Sequence, residues 1–187
     1  ASGWCQLMNR ASRALCHTAD NRAALDSDKW LCHESCWSEA SLVAIQTNAI
    51  VDVPCLGGIN LYAVPIHAGD EVVGAINFGY GDPPRDPERL RELAAAYHID
   101  LAELKATAAA YESRPPFIIE LAKRRIQASA QLIGEIIRRK RATDALEASE
   151  AALKRAQRVA HVGSWIWHIR DNRLEWSSEM YRIFGRD

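Results

Sequence analysis

The chain lacks an excess of charge of either sign: 23 Lys and Arg face 24 Asp and Glu, for a net charge of -1 over 187 residues. That balance gives no long-range pull toward nucleic acid or anionic lipid, so no nucleic-acid partner is expected. A membrane-spanning run is also missing. The longest apolar stretch, residues 50 to 66, carries Asp52 and is broken by Pro54, Gly57, Gly58 and Pro65, which excludes a spanning helix of about 20 residues there. No signal peptide is visible. The five cysteines, Cys5, Cys16, Cys32, Cys36 and Cys55, make an odd count that suits reduced thiols in the cytoplasm better than a disulfide framework. A Gly-rich phosphate loop, a Gly-x-Ser-x-Gly elbow, a His-Glu-x-x-His helix and a paired-carboxylate site are absent too. The visible chain is therefore read as a non-enzyme.

What is present is enough apolar residue, 48%, for one good core and a smaller second unit. Residues 1 to 50 read as short interrupted helices with Asp20 and Ser38 as N-caps. From Ile50 to Gly81 the pattern turns to β-type runs, the last two joined by the four-residue loop "HAGD" with Gly69 free to take a positive φ. The segment "DPPRDPE" ends this small antiparallel sheet, and Pro87 suits a first helical turn. Helices follow over 87–97 and 100–111. The fold class is α+β, a small antiparallel sheet flanked by helices.

After the stiff "SRPP" joint, residues 117–157 contain no proline and one glycine, a length that needs a partner helix. Ile119, Ile126 and Ile133 recur every seven residues with Ala122 and Ile136 at the other core place of the heptad, Leu146 and Leu153 repeat by seven further on, and the phase slips near Lys140. This predicts a coiled-coil homodimer through 117–157. The basic runs at 123–125 and 138–141 alternate with Glu120, Glu135, Asp144 and Glu147, as on a solvated helix face. The end of the chain reads as a hairpin plus one helix, too small to bury a core alone.

Two groups of residues could carry chemistry. Cys32 and Cys36 are four apart, so on a helix their thiols share a face; with Cys16 and Cys55 they could form a four-thiolate zinc or iron–sulfur site, or pack as buried thiols. In "DVPCLGGINLYAVPI" Cys55, Gly57 and Gly58 interrupt a strand-like run. A bare backbone there leaves room for a ligand, with Trp30, Trp37, Cys55 and Tyr62 lining an apolar pocket, or else makes a bulge. His17, His67, His98, His161 and His168 are scattered and get no catalytic role.

The segment "AQRVAHVGSWIWHIRDNRLEWSSEMYRIFG" resembles the start of a PAS domain of bacterial sensor kinases, in the order entry helix, strand, polar turn, strand, helix. The blocks "WCQLMNRASRALCHTADNRAA" and "CLGGINLYAVPIHAGDEVVGAINFGYGDPP" resemble the PocR sensory domain, through Cys16, Ala19 and Asp20, and then Cys55, Gly58, Ile59, Pro65, Ile66 and Gly74; Leu56 stands where the family usually has His. The resemblance implies a PAS/GAF-like sheet and a small organic ligand such as a simple alcohol or hydrocarbon derivative. The expected organisation is a PocR-like domain over 1–113, lacking its first strands, a helical linker over 114–157 and a truncated PAS start over 158–187. The chain is thus read as a piece of a two-component signal-transduction protein, with a histidine kinase or diguanylate cyclase downstream in the same chain. A cysteine-based metal or redox sensor is the alternative.

Overall fold

The helix starts at Asp20, Asp86, Asp100 and Ser177 are set by side chains that accept hydrogen bonds from first-turn amides. The computed structural model describes residues 3–27 and 29–186. After α1 (Gly3–Leu15), Asp20 accepts from the Arg22 amide at 3.0 Å to begin α2 (Asn21–Leu25). Asp86 accepts from the Arg89 amide at 2.8 Å at the head of α5 (Pro87–Tyr97), with Pro87 in the first turn. Asp100 holds two amides at the head of α6 (Leu101–Ala109). Ser38, expected as a cap, lies instead inside one helical run: α3 (Leu31–His33), a π-helical stretch Glu34–Ser41 and α4 (Leu42–Thr47) follow without a break, because His33 and Ser41 at the joints keep helical φ and ψ.

The sheet is antiparallel in the order β1 (Val51–Pro54), β2 (Asn60–Ala68), β3 (Glu71–Tyr80). The expected four-residue loop after β2 is a two-residue turn, since Ala68 pairs with Glu71; Gly69 takes φ +71 there, as the tight hairpin requires. The ladder's irregularity sits at Ile66/His67 and not at the glycine pair. Cys55, Gly57 and Gly58, read as part of a strand, form the turn between β1 and β2. The Cys55 amide donates to the Ile59 carbonyl at 2.6 Å and the Gly58 amide to the Cys55 carbonyl at 2.9 Å. Gly58 holds φ +83, and a β-carbon there would stand 2.8 Å from Pro84 Cδ, so the turn needs glycine for conformation and for space.

β2 is the central strand and is buried from Leu61 through Ile66. Leu61 and Ala63 pack against Ala40 and Ala44 of the helical run. Tyr62, on the other face, meets Gln127 of α7 (Pro116–Ala160). Both faces are covered, which explains an unbroken apolar run where a one-sided strand would alternate. The main core lies beside the sheet, where Trp4, Leu7 and Met8 of α1 meet Leu90, Leu93 and Tyr97 of α5 and Leu104 of α6.

The heptad seam is corrected in its first half. Ile126, Ala130 and Gly134 are buried against the chain's own fold, and a methyl on Gly134 would run into the His67 carbonyl. Periodicity cannot tell a seam for a second chain from one for the chain's own sheet. Phe117, Leu121, Leu132 and Ile136, by contrast, are exposed.

The chain divides into two compact units, 1–136 and 137–187. In the second, β4 (Trp165–His168) and β5 (Arg173–Trp176) form the expected hairpin. α8 (Ser178–Ile183) follows, capped by Ser177, whose hydroxyl accepts from the Met180 amide. Trp176 packs on Tyr181 and Phe184, with ring centres 5.4 and 5.3 Å away. No described helix is long and apolar enough to cross a membrane.

Candidate functional site

In α1, Trp4, Cys5, Met8, Asn9 and Ser12 recur at helical spacings of three and four and share one side. The π-helical stretch opposite is pinned by polar contacts. Asn77 Nδ2 of β3 donates to the Cys36 carbonyl at 3.0 Å and to Ser41 Oγ at 2.6 Å. Ser35 Oγ accepts from the Leu56 amide at 2.9 Å, and Ser12 Oγ from the Cys32 amide at 3.2 Å. The buried serines therefore serve the backbone and fix Cys32 and Cys36 beside the β1–β2 turn. Wider π-helical turns recur at functional sites because they re-aim side chains.

Between α1, the helical run and that turn lies a cavity of about 380 Å³, with Trp4, Cys5, Trp30, Cys32, Cys36 and Cys55 in its wall. No Asp, Glu, Lys or Arg lines it among the described residues. Burial pushes the Cys32 thiol up to about 12, helped by the neighbouring Cys36 and Cys55. Burial likewise pushes Cys36 up to about 11 and raises Cys55. These three thiols are protonated at neutral pH, which leaves their part of the wall neutral and polarisable. A charged ligand would lose its hydration here with no Asp, Glu, Lys or Arg of the wall to pair with; Gln6, Asn9 and His33 are the wall's polar side chains. A neutral, mostly apolar one fits the usual character of small-molecule sites.

Of the residues singled out from sequence, Trp30, Cys32, Cys36, Cys55 and Gly57 line the cavity. Trp30 is held by a bond from its Nε1 to Asn9 Oδ1 at 3.0 Å. Gly58 shapes the turn without lining it. Trp37 is 43% exposed and stacks on His33, outside the cavity. Tyr62 points to the opposite face of β2, because its neighbour Leu61 takes the cavity side and strand side chains alternate. Cys16 bonds the Ser12 carbonyl at 3.4 Å and lies outside the cavity wall, so the set Cys16, Cys32, Cys36 and Cys55 is not assembled. Cys5 stands with Cys32, Cys36 and Cys55 instead. Among the described residues no group of three or more His, Cys, Asp or Glu is placed to hold a metal ion. The sequence reading missed Trp4, Cys5, Met8 and His33; the signal was there for α1, whose Cys5 stands three residues before Met8 and four before Asn9.

A polar latch fills the other face of the sheet. Lys123 Nζ of α7 bonds Asp52 Oδ2 at 2.9 Å and sits over the rings of Tyr80 and Tyr62, 4.5 and 5.0 Å from their centres. The Tyr80 hydroxyl donates to Asp52 Oδ1 at 2.6 Å, and Gln127 Nε2 donates to the Tyr62 hydroxyl at 2.6 Å. One lysine thereby touches all three strands. The bond to Asp52 raises the Lys123 pKa above the ordinary lysine range. By linkage its contribution is full below about 10.4 and fades only at more alkaline pH.

The first unit is thus a small antiparallel sheet with helices on both faces and a mostly apolar cavity on one of them. The model of the family described as the sensory domain found in PocR matches residues 2–139, and the chain belongs to that family. The match takes in the first part of α7, where the helix lies on the sheet. A sensory role in signalling follows from this membership. No curated protein and no solved structure matches the chain.

Proposed function

We propose that the chain is the sensory input region of a bacterial signal-transduction protein whose cavity takes a small, neutral, mostly apolar organic molecule. The observation that carries this is the cavity wall: two tryptophans and four cysteines, with Gln6, Asn9 and His33 as its polar side chains and no Asp, Glu, Lys or Arg among the described residues. Titration with small alcohols, ketones and cyclic hydrocarbons, followed by tryptophan fluorescence, tests it, since Trp4 and Trp30 line the space. Saturable quenching is expected from at least one class, and its loss in Cys36→Phe, which fills the cavity, with the circular dichroism unchanged. A linear response from every class would refute the reading.

Strand β2 supports a relay. Leu61 faces the cavity and Tyr62, the next residue, faces α7, so a ligand that favours one position of β2 also favours one seating of Lys123 and Gln127. The output is passed through 117–157 as a homodimer to a PAS domain that begins near residue 158, and on to a histidine kinase or, as the second choice, a diguanylate cyclase. Support for the dimer is the exposed row Phe117, Leu121, Leu132 and Ile136, which solvent would otherwise wet. Leu121→Glu with Leu132→Glu is expected to shift the mass from light scattering from dimer to monomer while leaving the helix content intact. An unchanged mass would remove this face from the interface.

A further inference from the structure

The core beside the cavity holds one polar atom with nothing to do. Tyr97 is only 2% exposed, and its hydroxyl has no hydrogen-bond partner among the described residues. Buried hydroxyls are normally satisfied, so an orphan asks for an explanation. The cavity wall offers one at Gly57. Its carbonyl accepts from Trp4 Nε1 at 2.8 Å and its amide donates to Cys55 Sγ at 3.1 Å, so the backbone is fixed on both sides. Where a β-carbon would stand on Gly57, the nearest atoms are Cys55 Sγ at 3.4 Å, Met8 Cγ at 3.5 Å and the Tyr97 hydroxyl at 3.7 Å. The bare α-carbon leaves a notch wide enough for one heavy atom between a thiol and an unused donor.

We infer that Tyr97 is the polar anchor of the cavity: its hydroxyl donates to a hydrogen-bond acceptor of the bound molecule, seated in the notch at Gly57. The ligand class narrows to a small apolar body carrying one neutral acceptor oxygen, as in a ketone, ether or alcohol. This rests on the ligand reading of the cavity and adds to it a residue, an orientation and a selectivity. A site built around a donor rejects the analogue without the acceptor, because the donor is then left buried and unpaired. The same logic predicts an unusual substitution. Removing a hydroxyl with no partner costs the empty protein nothing, whereas removing one that holds a ligand weakens binding.

The test uses a matched pair of probes, cyclohexanone and methylcyclohexane, titrated against wild type, Tyr97→Phe and Gly57→Ala by tryptophan fluorescence, with a thermal melt of each protein without probe. Wild type is expected to prefer the ketone. Tyr97→Phe is expected to melt at or above the wild-type temperature, to lose about 10-fold in ketone affinity, a typical effect for one hydrogen bond, and to keep its hydrocarbon affinity. Gly57→Ala, whose added methyl meets only ordinary contact distances, fills the notch and removes the preference without unfolding the chain. Equal ketone binding by wild type and Tyr97→Phe overturns the anchor while leaving the cavity as a ligand site. A Tyr97→Phe protein that melts markedly lower also overturns it, since the hydroxyl then has a structural partner. Binding of neither probe by wild type defeats the ligand reading, and the anchor with it.

Discussion

Folded at pH 8, Cys32 is expected to be alkylated by iodoacetamide about 1000-fold more slowly than in the urea-unfolded chain, because only the thiolate reacts. The figure follows from the shift of the thiol from 9.0 to about 12, caused first by burial and next by the neighbouring thiols. Cys36, at about 11, slows by about 100-fold on the same arithmetic. Mass spectrometry of the labelled peptides reads each site separately. Since both folded values are raised, the unfolded chain gives up its thiol protons first. Stability contributed by the neutral thiols is full below about 9 and falls as the pH climbs toward 11 or 12, so melting temperature drops across that alkaline window. Rates within 10-fold of the unfolded chain would mean accessible, ionised thiols. That result would replace a ligand wall of neutral thiols with a thiol-based redox or metal sensor.

Lys123→Met should destabilise the sensory unit by about 2 kcal/mol, in the range of a charged hydrogen bond with an aromatic contact. The figure is held down because Asp52 is 37% exposed and water screens part of the pair. Methionine keeps most of the chain's apolar contact over Tyr62 and Tyr80, so the loss isolates the charge. Hydrogen exchange is the informative readout. Protection should fall in α7 between residues 116 and 134 and in β1 around Asp52, while the core around Leu104, which α5 and α6 form without the latch, keeps its slow amides. A variant as stable as wild type would make the latch an exposed ion pair of no consequence, and β2 would lose its mechanical link to the helix.

Much of this fold could be read from local chemistry. Asp20, Asp86 and Asp100 are where they are because a helix start needs an acceptor for its free amides, a signal carried by a few adjacent residues. The β2–β3 hairpin was legible for the same reason. Long-range choices were not. The repeat of Ile119, Ile126 and Ile133 marks an apolar stripe, but what covers the stripe is set by residues some 70 positions away in β1 and β2. Cys16 and Cys5 differ in the same way. Both lie in or next to α1, and 11 positions at about 100° each would put them on nearly the same side; they differ because Cys16 lies some three turns along, past the helix end at Leu15, and only the packing of α1 on the turn at Cys55 decides which thiol reaches the cavity. Tyr62 was misplaced by one residue of alternation on a strand covered on both faces, where the apolar pattern loses its direction. Tyr97 left no mark in sequence at all. A tyrosine ending a helix reads as core, and only coordinates show that its hydroxyl goes unused.

Hydrogen–deuterium exchange of the full 187-residue chain, with and without saturating cyclohexanone, tests the central claim that a cavity on one face of the sheet is coupled to α7 on the other. The account predicts increased protection at residues 30–37 and 55–61, where the cavity wall lies, together with a change in α7 between 116 and 134. Protection confined to the cavity wall, with α7 unaltered, would contradict the coupling through β2. No change at either place would contradict the binding itself.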